Sequence, residues 1–266
     1  MKKLLSILFI LALTVTFAAC GSSNDSETTD ESADNTLVMA TNAEFPPYEY
    51  HENDENGKDK IVGIDAEIAQ AIADKLGMEL KIEDMEFDSI IASVQSGKAD
   101  LGMAGMTVTE ERKESVSFTT SYANGVQVVI VPKDSPITSV DDLSAKDANY
   151  NIGVQTSTTG DLYATMDLED EGLATVERYS KGADAINALL NGKIDCVIID
   201  NEPAKAFVAA KDSLKILDTS YADEDYAICI AKDNTELLDQ VNTALQELIA
   251  DGTVQSIIDR YIPTEE

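Results

Sequence analysis

An α/β fold of two lobes is predicted by three features of the 266-residue sequence. Short apolar strands alternate with amphipathic helices from residue 36, the alternation restarts after Tyr122, and an acidic segment at Tyr221 to Tyr226 leads into a last strand and terminal helices. Alternating strands and helices imply a sheet with helices on its faces. The restart implies a second such unit.

Leu37 to Thr41 reads as a buried strand. Ile64 to Gly77 reads as a helix, because Ile64, Ile68, Ile72 and Leu76 recur four apart and Gly77 is placed to end it. Glu79 to Ile82 is the next strand. Phe87, Ile90, Ile91 and Val94 mark a second helical face ending at Gly97, and Ala99 to Met103 a third strand. Beyond Tyr122 the reading is strand at Val126 to Val131, a short helix at Val140 to Leu143, strand at Asn151 to Val154, then a Ser/Thr-rich loop and helix. Val176 to Tyr179, the Ala183 to Leu190 helix, Ile194 to Ile199 and the Pro203 to Ala210 helix complete this set. A strand through Ala227 to Ala231 precedes helices with apolar positions at Leu238, Val241, Leu245, Leu248 and Ile257, whose packing partner periodicity leaves open.

Met1, Lys2 and Lys3 precede an apolar run from Leu4 to Phe17, then Ala18, Ala19 and Cys20. This reads as a signal peptide over residues 1–19, its apolar core shorter than the about 20 residues a spanning helix needs. The small residues before Cys20 resemble the lipobox of bacterial lipoproteins, in which that cysteine is acylated. Residues 20–35 are Ser, Thr and acids with little to bury, a disordered tether. The expected location is outside the cytoplasm, held to the cell membrane by lipid.

With 19 basic and 50 acidic residues the formal charge is −31, which repels phosphate backbones and excludes nucleic acid as a partner. Cys196 and Cys229 lie in apolar runs and read as buried free thiols, with a disulfide as the alternative. The single histidine, His51, reads as part of the charged Glu52 to Gly57 loop, a poor place for a general base, and offers no Ser/His/Asp or Cys/His machine. No metal site and no cofactor are expected.

Gly63-Ile64-Asp65-Ala66-Glu67-Ile68, followed by Ile72 and Ala73, resembles the signature of solute-binding protein family 3, the receptors of polar amino acid ABC importers. The family order continues through Thr41 to Glu49, Phe87-Asp88, Ala104 to Arg112, Gln155 to Thr159 and Ile199-Asp200. The resemblance implies a periplasmic-binding-protein-like clamp of type II, its two α/β lobes joined by two hinge crossings. Lobe 1 would take residues 36–122 and 225–266, and lobe 2 residues 123–224. A monomer handing a free polar amino acid to ABC permease membrane subunits is the implied activity.

A free amino acid carries a carboxylate and an ammonium on one carbon, and hiding both from water requires an opposite charge and hydrogen bonds for each. An arginine in Thr-Glu-Glu-Arg-Lys is ordinarily a solvated helix residue; the resemblance instead makes Arg112 the carboxylate clamp, for which its planar fork is suited. Thr158 and Thr159 precede a helix, where an N-cap and an anion contact are both plausible uses, and the resemblance assigns Thr159 a carboxylate contact. Asp200 ends an apolar strand, where open α/β sheets place ligands. By resemblance it takes the α-ammonium with the Gly105 carbonyl and the Thr107 hydroxyl. Phe45 and Phe87 would wall the ligand side chain.

Side-chain selectivity would fall to Asn42, Glu44 and Gln155; receptors of the family for basic amino acids tend to carry an acid where Asn42 stands, so its neutral amide speaks against a tight lysine-specific pocket. Ala104-Gly105-Met106-Thr107 looks like glutamine receptors, whereas Gln155 and Ile199 depart from them, and Glu44 could meet a basic ligand. The ligand stays open. Two other functions compete: a cyclohexadienyl-dehydratase-like enzyme, which would need a free acid or base in the cleft, and a sensor acting through a membrane partner.

Overall fold

The computed structural model describes residues 35–263. The expected signal peptide, the acylated Cys20 and the tether through residue 34 lie outside the described residues.

The first part of the chain forms β1 (Thr36–Thr41), β2 (Glu44–Phe45), β3 (Glu49–Asn53), β4 (Asp59–Val62), α1 (Ile64–Leu76), β5 (Glu79–Asp84), α2 (Ile90–Gln95), β6 (Leu101–Gly102), α3 (Glu110–Ser115) and β7 (Val116–Phe118). The middle supplies β8 (Ala123–Pro132), β9 (Tyr150–Gln155), α4 (Thr159–Ala164), β10 (Ala174–Tyr179), α5 (Gly182–Leu190), β11 (Cys196–Asp200), α6 (Asn201–Ala209) and β12 (Leu214–Ile216). The return consists of β13 (Ala222–Tyr226), β14 (Cys229–Ala231), α7 (Thr235–Ala250) and α8 (Thr253–Tyr261).

Two principal sheets result. The first has the order β5-β1-β6-β14-β7, and the second β10-β9-β11-β8-β12 with β13 on the other part of β8. Each is covered on both faces, so its central strands are continuous apolar runs rather than alternating ones. Every residue of β11 is buried.

α1 shows how local sequence builds a layer. Ile64, Ile68 and Ile72 share one face and are fully buried, each worth about 1.5–3 kcal/mol relative to exposure. Gly63 starts the helix at φ 125°, where a Cβ would strike the Tyr48 carbonyl. Gly77 ends it at φ 69°, donating its N–H to the Ala73 and Asp74 carbonyls.

The packing of the last helices, open from periodicity, is settled by burial. Val241, Ala244, Leu245 and Leu248 of α7, with Val254 and Ile257 of α8, join Leu37, Met39, Ile64 and Ile68 in one cluster. The chain therefore returns to the first sheet. The second sheet has its own clusters, around Val129, Ile152 and Ile198 on one face and Ile130, Ile186 and Val197 on the other.

Three features differ from the sequence expectations. The acidic segment is strand β13, paired antiparallel with β8 from Ala222 opposite Gln127 to Tyr226 opposite Ala123. Its two crossings thus form one ribbon, in which buried Glu224 and Tyr226 alternate with exposed acids. A small antiparallel sheet β2-β3-β4 was not foreseen, and the expected strand Ala99 to Met103 contracts to Leu101–Gly102. His51 lies on β3, with Nδ1 2.8 Å from Asp59 and Nε2 3.3 Å from Asp84. Cys196 and Cys229 are free, buried and on different sheets. Burial pushes the Cys229 thiol up to about 12.

No helix among the described residues is long and apolar enough to cross a membrane. Among the same residues no cluster of His, Cys, Asp or Glu could hold a metal ion.

Candidate functional site

Strand ends and short helix starts from both sheets converge on one cavity, lined by Asn42, Phe45, Glu49, Phe87, Ala104, Gly105, Thr107, Arg112, Gln155, Thr158, Thr159 and Asp200. Eleven of the twelve expected site residues are in this set. Glu44 is not. It sits on β2, and its carboxylate pairs with Lys181 at the start of α5, which draws it to the rim of the cleft.

Arg112 is 9% exposed. Thr109 caps α3 by accepting the Arg112 N–H, so the side chain leaves the first turn toward the cavity. Nη1 donates to the Thr107 carbonyl at 2.8 Å and Nη2 to the Ser157 carbonyl at 3.1 Å. The guanidinium lies 5.3 Å from the Phe87 ring centroid, a cation–π geometry. Desolvation lowers its pKa, opposed chiefly by the Glu224 carboxylate. An arginine remains charged regardless. The solvated alternative for this residue does not describe the fold.

Asp200 occupies the N-cap position of α6 but makes no side-chain cap. Instead Gln127 Nε2 donates to Oδ2 at 2.7 Å, while Oδ1 has no partner. Burial first, and then Glu224, raise its pKa well above the ordinary range. Thr107 donates its hydroxyl to Glu224 at 2.9 Å, which leaves the Thr107 oxygen lone pairs free to accept. Gln127 Nε2 also reaches Thr159 Oγ1 at 3.4 Å, so the Thr159 hydroxyl hydrogen is free to donate. Gly105, at φ 51°, faces Phe45 so closely that a Cβ would lie 3.0 Å from the ring. Its N–H donates to buried Asp65 at 2.9 Å, fixing the peptide that borders the cavity.

At the side-chain end Gln155 Nε2 donates to Asn42 Oδ1 at 2.9 Å, and Asn42 Nδ2 to the Met85 carbonyl at 2.9 Å. Glu49 is the lining residue that sequence reasoning missed. It is 1% exposed and neither carboxyl oxygen receives a donor. The Asp65 carboxyl beside it can pair with it only through a shared proton. Burial raises both, Asp65 to about 6 and Glu49 well above its usual range. Phe45 and Glu49 are the opposed pair of a tight hairpin too short to register in the sequence, so only the structure brings Glu49 to the cleft beside Phe45. Gln127 and Glu224 were also missed. Gln127 betrays itself as a lone amide within the apolar run of β8.

Comparison with known proteins agrees with this geometry. The model of the bacterial extracellular solute-binding proteins, family 3, matches residues 37–264. The chain is 33% identical to the arginine-binding extracellular protein ArtP of Bacillus subtilis over 269 residues, covering all of both chains. It is 32% identical to ABC transporter arginine-binding protein 1 of Escherichia coli, covering 99% of this chain and 100% of that one. The crystal structure of the substrate-binding protein AbpA of Streptococcus pneumoniae bound to L-arginine superposes with a TM-score of 0.77 at 34% identity, covering 86% of this chain and 94% of that one. Motifs, two-lobed α/β architecture and cleft chemistry converge: the chain belongs to the bacterial extracellular solute-binding proteins, family 3.

Proposed function

We propose that this protein is the extracytoplasmic receptor of an ABC importer, and that it captures a free L-amino acid with a cationic side chain, arginine foremost, between its two lobes. The observation that carries the ligand class is the charge inventory of the cavity. One buried guanidinium, Arg112, faces two lining carboxyls with unpartnered oxygens, Asp200 and Glu49. An amino acid zwitterion answers Arg112 with its carboxylate and Asp200 with its ammonium. Glu49, which burial keeps protonated in the ligand-free protein, would give up that proton to pair with a guanidinium or ammonium on the side chain. The arginine-binding relatives support the same choice.

In this reading Thr159 assists Arg112 at the α-carboxylate, and the Gly105 carbonyl and Thr107 assist Asp200 at the ammonium. Phe45 and Phe87 flank the side chain, and the Asn42–Gln155 amide pair meets its polar end. Lobe 1 comprises residues 36–122 and 225–266, lobe 2 residues 123–224, and the β8–β13 ribbon joins them. Contacts from Gln155 to Asn42, Arg112 to Ser157 and Lys181 to Glu44 cross between these parts and belong to the closed clamp. The mature chain acts as a monomer, bound to the membrane through acylated Cys20, and releases its ligand unchanged to the permease.

Titration calorimetry with L-arginine, its amide, its Nα-acetyl derivative and the neutral isostere L-citrulline tests this. Arginine should bind tightly and the other three weakly, with arginine recovered unaltered. Equal affinity for the amide and acetyl forms would remove amino acid recognition from the site. Equal affinity for citrulline would remove the cationic side chain and leave a neutral polar ligand such as glutamine. Small-angle scattering should show compaction on saturation.

A further inference from the structure

Ser157 has a left-handed backbone, φ 64°, although it is not glycine. That conformation is unfavourable for a residue with a Cβ, so neighbouring groups must hold it. Its N–H donates to Asp161 Oδ2 at 2.9 Å. The other Asp161 oxygen is fixed by Arg178 Nε at 2.9 Å and the Thr165 hydroxyl at 3.2 Å, and Arg178 is itself anchored to Glu169 at 2.6 Å. The twisted peptide aims the Ser157 carbonyl at Arg112 Nη2, 3.1 Å away, and is followed directly by Thr158 and Thr159 of the cavity wall. Asp161 does not line the cavity.

We propose that Asp161 is a positioning residue for ligand capture: it holds Ser157 in the left-handed turn that presents its carbonyl to Arg112 and sets the two threonines. The inference rests on the amino acid binding reading above but not on which amino acid is bound. Arg112 has two peptide carbonyls to orient it, one from Thr107 on its own lobe and one from Ser157 across the cleft. On the lobe assignment proposed above, the first lies within one lobe, whereas the second spans the cleft and would form on closure. Asp161 therefore acts on the closed state, and its loss should speed ligand release more than it slows capture.

Glycine adopts a left-handed φ without help, so it supplies a readout that a merely structural role would not move. Asp161→Ala should weaken L-arginine binding about tenfold, the equivalent of one unfavourable left-handed residue. Ser157→Gly in that background should restore most of the affinity, since glycine keeps the carbonyl that Arg112 uses and the lost side chain is exposed. Amide hydrogen exchange of the ligand-free protein gives a second measurement, in which Asp161→Ala should accelerate exchange at Ser157. If Asp161→Ala does not fold, Asp161→Leu, which keeps the bulk and has no acceptor for the Ser157 N–H, carries the same comparison with and without Ser157→Gly. Wild-type affinity in a folded Asp161→Ala variant, no rescue by glycine, or unchanged exchange at Ser157 would each overturn the proposal. If wild-type protein fails to bind L-arginine, the ligand assignment falls, and the exchange result alone decides the role of Asp161.

Discussion

Gln127 donates through one amide nitrogen to Asp200 Oδ2 at 2.7 Å and to Glu224 Oε2 at 3.1 Å, holding two buried carboxyls side by side beneath the cavity. Gln127→Leu preserves the bulk but removes the shared donor. Each carboxyl left without it should cost about 1–3 kcal/mol. We expect lower stability in urea and, because Asp200 then protonates more readily, weaker ligand binding at neutral pH. Unchanged stability and affinity would show that the amide is not what holds the pair.

Arg112→Ala and Asp200→Ala each leave one ligand charge buried without its counterpart, a loss of roughly 3–5 kcal/mol by analogy with broken buried ion pairs. Calorimetry should register binding weakened by orders of magnitude in folded protein. Arg112→Lys should recover little, since an ammonium cannot span the Thr107 and Ser157 carbonyls and a carboxylate together.

Glu49 and Asp65 link binding to protons. Both are raised, Asp65 to about 6, so the folded ligand-free protein favours their protonated forms. The stability they contribute is full below the unfolded carboxyl values near 4 and is lost as pH rises through about 6 and beyond. A cationic side chain reverses the preference. Arginine should therefore expel a proton from Glu49 on binding, with affinity rising with pH over the range in which ligand-free Glu49 keeps its proton. Calorimetry at pH 6 in buffers of different ionisation enthalpy reads the release, and Glu49→Gln should diminish it. Identical heats in all buffers would contradict the linkage.

Gly63→Ala places a methyl group against the Tyr48 carbonyl at a φ of 125° and should cost at least about 2 kcal/mol. Gly57→Ala, at φ 75° with open space around it, provides the comparison and should cost about 1 kcal/mol. Thermal unfolding of the two variants distinguishes a collision from conformational preference alone.

Cys20→Ser should move the protein from the membrane fraction to the medium or periplasm, because the proposed acyl anchor has no other attachment residue. Full retention of the unacylated variant on membranes would remove that anchor from the account.

Much of the fold was legible because its signals are local. The four-residue recurrence in α1 and the apolar run of β11 are written in neighbouring residues, and burial follows from them directly. Short elements escaped. β2 has two residues and α3 six, too few for a period to register. The acids of β13 hid a strand, since only every other one turns inward and the pattern that reveals this lies across the ribbon, in β8.

The site divides in the same way. Sequence by itself determined the order of the motifs, the residue types able to meet an amino acid's two charges, and the lack of a His- or Cys-based catalytic set. Tertiary structure decided which charges face each other: that Arg112 is buried over Phe87 rather than solvated, that Glu44 turns to Lys181, and that Glu49 lines the cavity beside Asp65. These outcomes depend on partners far apart in the chain, such as Gln127 and Glu224, separated by 97 positions. A side chain's propensity is local, but the cost of burying its charge is set by what the fold brings within hydrogen-bonding reach.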